Sequence, residues 1–138
     1  MNWQPYIKAS WELVMASQGR TQVFLRDDLE AYLVNMMARN FTNKNIPPDI
    51  ICLEFPKARN KNDFQALGDS CLFVDAWRIK PARLVNADYY ERMGQMAYSS
   101  AALASRPIDE FFSGLAQQFR TISRVLAGVR QLANTASS

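Results

Sequence analysis

Histidine is absent from the 138 residues, and that absence removes more chemistry than any residue present supplies. Without imidazole no Ser-His-acid or Cys-His machinery can be assembled within the chain. The commonest nitrogen ligand for zinc is missing, and proton transfer would fall to Asp, Glu, Lys, Tyr or Cys. Glycine is scarce as well. Gly19, Gly68, Gly94, Gly114 and Gly128 stand alone and far apart, so neither GxGxxG nor GxxxxGKS/T occurs and the familiar phosphate-cradling loops are disfavoured. The two cysteines, Cys52 and Cys71, sit in apolar company (ICL and SCLFV) with no partner at metal-ligand spacing, where a thiol behaves as a small buried hydrophobe. The reading leans away from an enzyme, with no catalytic residues, no cofactor and no metal expected.

Long apolar runs are missing too. None reaches the ~18 residues a membrane span needs, and the N-terminal MNWQPYIKASWELV lacks the uninterrupted apolar core of a signal peptide. A reducing cytoplasm is the expected setting, with no membrane partner. Charge of one sign is also short: 16 basic and 13 acidic residues, a net charge of +3, are interspersed through the chain, which argues for a solvated surface and against a nucleic-acid partner. A basic patch of Lys57, Arg59, Lys61, Arg78, Lys80 and Arg83 forms only if two connections meet at one end of the molecule.

What is present is helical periodicity. The length suits one core and one domain, expected over residues 1–133, followed by a flexible tail at 134–138. A first helix over 5–17 carries Pro5 in its opening turn and an apolar stripe of Ile7, Trp11, Val14 and Met15, ending at Gly19. A second begins at Asp27 and Asp28, an N-cap pair with Glu30 in the first turn, and presents Leu29, Tyr32, Leu33, Met36 and Met37 at helical spacing to about Asn40. Residues 41–61 break the pattern with three prolines and three asparagines. The ICLEF piece within them reads equally as a short strand or a helical turn.

Asn60 to Asp63 offers a polar start for a third helix, expected near 62–78 and closed by Pro81. It is apolar nearly all round through Phe64, Leu67, Cys71, Leu72, Phe73, Val74 and Trp77, which gives it a central position. Gly68-Asp69 and Asp75 interrupt that surface. Arg78, Lys80, Arg83 or Arg92 are the expected partners of these aspartates. Asp88 is placed to cap a fourth helix with Glu91 three residues on, and Tyr89, Met93, Met96, Ala97, Ser100 and Leu103 share a face. Gly94, Ala97 and Ala101 lower its relief for a close neighbour. A long last helix opens at Pro107 and carries the stripe Phe111, Leu115, Phe119, Ile122, Leu126, Val129 and Leu132 or Ala133. At ~25 residues and ~38 Å its end is expected to project and pack on a second copy.

The stretches EAYLVNMMARNF (30–41), LGDSCLFVDAW (67–77), DYYERMGQMAY (88–98) and FFSGLAQQF together resemble a group of small bacterial proteins of unknown function, over about residues 26–130. The shared features are the GD pair at 68–69, the LF pair at 72–73, the YY pair at 89–90, and MG followed by AY. The resemblance implies a bacterial, cytoplasmic, all-helical protein and supplies no activity or site residues.

The expectation is therefore an all-α, single-domain bundle of about five helices. Its leading function is a non-enzymatic interaction or regulatory module that self-associates, most simply as a homodimer, with another protein partner as a further option. The alternative is a small apolar or aromatic ligand held between helices beside Asp69, Asp75, Trp77, Tyr89, Tyr90 and Met93, with Gly68-Asp69 facing Tyr89-Tyr90.

Overall fold

The computed structural model describes residues 4–40, 54–77, 88–105 and 107–137. Six helices occur among these residues, and no strand: α1 (Gln4–Thr21), α2 (Asp27–Asn40), α3 (Lys61–Trp77), α4 (Tyr89–Leu103), α5 (Glu110–Gln117) and α6 (Phe119–Ser137), with one 3-10 turn at Phe55–Lys57. They fall into two compact units. The first comprises α1, α2 and α6 from Thr121 onward; the second comprises α3, α4, α5 and the opening residues of α6.

In the first unit α2 follows its sequence pattern. Leu29, Leu33, Val34, Met36, Met37 and Ala38 are buried along one side, and the Asp28 carboxylate accepts from the Leu29 N–H at 2.8 Å at the helix start. The departures are in α1. It runs past Gly19 to Thr21 and stops where Gln22 turns left-handed, with φ of 59°. Its buried side is Ser10, Val14, Ser17 and Gln18, while Trp11 and Met15, expected to be core, are 41% and 49% exposed. Two of the three buried polar side chains find partners, while the buried Ser10 hydroxyl has none among the described residues. Ser17 donates to the Val125 carbonyl of α6 at 2.6 Å. Gln18 accepts from the Leu25 N–H at 2.7 Å and donates to the Glu30 carboxylate, so one amide fixes both ends of the α1–α2 connection. A Cβ at Gly128 would collide with the Ser17 hydroxyl, which explains why α6 approaches α1 through a glycine.

In the second unit α3 is buried at Leu67, Gly68, Ser70, Cys71, Leu72, Phe73, Val74 and Ala76. Its start is built as the sequence suggested. Asn60 accepts from the Asp63 N–H at 3.0 Å, satisfying a donor that a helix N-terminus leaves open, and Asp63 reaches back to accept from the Arg59 N–H just outside the helix at 2.9 Å. The 3-10 turn sits just before it, with Phe55 and Phe64 ring centroids 6.3 Å apart. The rest of ICLEF lies outside the described residues, as does Pro81.

Three expectations are corrected in this unit. Asp88 makes no side-chain cap bond; its carboxylate pairs instead with Arg92 at 3.7 Å. The face of α4 that packs is Tyr90, Gly94, Ala97, Tyr98, Ala101 and Ala102, which shares only Ala97 with the face that periodicity grouped. The long last helix is two helices. Pro107 precedes α5 rather than opening it, Asp109 caps α5 by accepting from the Phe111 N–H at 2.9 Å, and the chain turns at Gln118, φ −98° and ψ 13°. The turn lets α5 bury Phe112, Gly114, Leu115 and Ala116 while α6 restarts with Phe119 buried. Beyond it α6 continues to Ser137, through residues read from sequence as a tail.

The close approach of α3 and α4 depends on small residues. A Cβ at Gly94 would run into the Phe119 ring and lie 3.1 Å from the Cys71 Cβ. Gly94→Ala is therefore expected to cost about 1–3 kcal/mol through overpacking, read as a lower urea midpoint with an unchanged m-value.

Lys61 opens α3 and reaches across to α5. Its ammonium donates to Asp109 at 2.9 Å and lies 4.9 Å from the Phe112 ring centroid. That bond to Lys61 holds the Asp109 carboxyl below its ordinary range. The pair therefore stabilises the fold at pH values above the unfolded aspartate pKa of about 3.9, and its contribution is lost as pH falls through the lower folded value. Asp109→Asn keeps a good cap and removes the charge. It is expected to lower stability at neutral pH by less than about 1 kcal/mol and to reduce the loss on acidification, measured by urea unfolding at both pH values.

Candidate functional site

The residues expected to form a pocket are distributed over α3 and the first turns of α4. Gly68 and Asp69 both face Tyr98. A Cβ on Gly68 would sit 2.6–2.9 Å from three ring carbons of Tyr98, so the absent side chain is the seat of that ring. The Tyr98 hydroxyl donates to the Asp69 carboxylate at 2.6 Å. The ring is fully buried and meets Phe119 and Phe112 at centroid distances of 6.0 and 6.3 Å. Asp69, half-buried, is thus the polar end of an aromatic cluster: burying a tyrosine requires a partner for its hydroxyl, and the carboxylate supplies a short charge-assisted one.

Tyr89 and Tyr90 stack edge-to-face at 5.1 Å, with Tyr90 buried and Tyr89 half-buried. Trp77 closes α3 against Phe73 at 6.2 Å, and Met93 is half-buried on α4. Asp75 acts on two groups. It raises the Cys71 pKa, which burial first and Asp75 second push up to about 12, so this thiol is neutral and inert as nucleophile or ligand. It also contributes to the field at Arg120, which donates to Glu91 at 2.8 Å and feels Asp88 as well. Arg120 heads α6, and sequence reasoning missed it as a neighbour of Asp75 because the break at Gln118 redirects it.

A surface pocket of about 150 Å³ lies elsewhere, lined by Glu54, Lys57, Ala58, Asp63, Ala66 and Leu67. Lys57 is 3.7 Å from Glu54 there. The other described cations of the expected basic patch are also engaged locally. Arg59 donates to the Pro56 and Ala58 carbonyls at 3.0 and 3.3 Å, and Lys61 is held by Asp109. Arg78, Lys80 and Arg83 lie outside the described residues. Among the described residues no group of three or more potential ligands is placed to hold a metal ion, and no helix is long and apolar enough to cross a membrane.

The feature that periodicity misassigned is the outward face of α4. Met96 is 55% exposed and Leu103 67%, with Tyr89, Met93 and Ser100 half-buried on the same side. Ile108, 57% exposed, follows in the connection to α5, where the Asp109 N–H returns to the Ala102 carbonyl at 3.2 Å. The small side of the helix, read from the sequence as lowered for a close neighbour at Gly94, Ala97 and Ala101, is the side that packs. Gly94, Ala97, Ala101 and Ala102 mark where neighbouring elements crowd in, which leaves the large apolar residues to the other side.

No family model, curated protein or solved structure matches the chain. Any assignment of function therefore rests on the chain's own geometry.

Tyr98→Phe removes the hydroxyl and leaves the ring on Gly68. It is expected to cost about 1–2 kcal/mol. In the Asp69→Asn background the same change should cost less, and a double-mutant cycle by urea unfolding reads the coupling; strict additivity would contradict the pairing.

Proposed function

We propose that the chain is a non-enzymatic interaction module that self-associates, with the outward face of α4 as its contact surface. One observation carries the reading: Met96, Leu103 and Ile108 are large apolar side chains more than half exposed on or beside a helix whose opposite face is already packed. Fully burying a side chain of this size is worth about 1.5–3 kcal/mol, and contiguous exposed apolar surface marks interaction sites in folded proteins. Methionine adds an adaptable fit. The stripe of the last helix supports self-association less, because Leu115, Phe119, Ile122, Leu126 and Val129 are all buried within the chain.

The absence of histidine and the inert Cys71 weigh against enzymatic chemistry. The alternative, a small ligand between helices, has less support because the Asp69 carboxylate and the Tyr98 hydroxyl are bound to each other and the Tyr98 ring fills the space above Gly68. A cytoplasmic, reducing setting belongs to the same reading, favoured by Cys71 as a free buried thiol; a bacterial origin is carried by the sequence resemblance alone.

Light scattering over a wide concentration range tests this. The wild-type chain is expected to move from monomer to dimer, and Met96→Glu with Leu103→Glu to weaken that association about 100-fold or more with unchanged circular dichroism and melting temperature. A wild-type chain that stays monomeric throughout overturns the reading.

A further inference from the structure

We draw no further inference here: the strongest candidate, the surface pocket between the 3-10 turn and the first turns of α3, carries nothing because the charged groups that line it are already engaged by their own neighbours, Lys57 with Glu54 and Asp63 with the Arg59 N–H, and nothing in the structure shows what fills it.

Discussion

The second unit is organised by a shortage of space between α3 and α4. Tyr98 is one of the largest fully buried side chains, and its ring rests where Gly68 has no side chain. Phe119 occupies the corresponding position over Gly94. Two glycines, one on each helix, therefore each accept an aromatic ring from another element, and the helices pack as closely as those rings allow. The positions of Phe112, of the Asp69 carboxylate and of Cys71 follow. Interiors packed to the density of organic crystals leave little freedom once two such rings are placed.

The same constraint assigns the faces of α4. Its narrow side is committed to the crowded interior, and the methionine and leucine side is left outward. Hydrophobic periodicity groups Met96 and Leu103 with Ala97 on one face, whereas the close-approach residues Gly94, Ala97 and Ala101 mark the side that packs. The correct choice depends on Phe119, more than twenty residues later, whose ring needs the space at Gly94. The α1 helix presents a parallel case. Ser17 and Gln18 are buried because Val125, Leu25 and Glu30 satisfy them, and those partners lie elsewhere in the chain.

By contrast, α2 and the start of α3 were legible from local sequence. Leu29, Leu33, Met36 and Met37 keep one face, and Asn60 and Asp63 form their capping bonds within four residues. Gly68 and Asp69 could be recognised as unusual in an apolar helix, but their partner could not be deduced. Tyr89, Tyr90 and Tyr98 lie on the same helix, and only the packing register of α4 against α3 selects Tyr98. The break at Gln118 had no signal of its own, since neither proline nor a capping residue marks it. It follows from the different burial directions required of Phe112 and Phe119.

Cys71 carries a consequence for kinetics. Burial pushes its pKa up to about 12, so the thiol is neutral at neutral pH, and a Cβ built on Gly94 of α4 would lie 3.1 Å from its own Cβ. Alkylation at this position must wait for α3 and α4 to separate, which exposes the sulfur and restores an ordinary thiol acidity together. In a chain with Cys52 replaced, the rate at which Cys71 is modified under native conditions becomes an internal clock for the opening of this one interface.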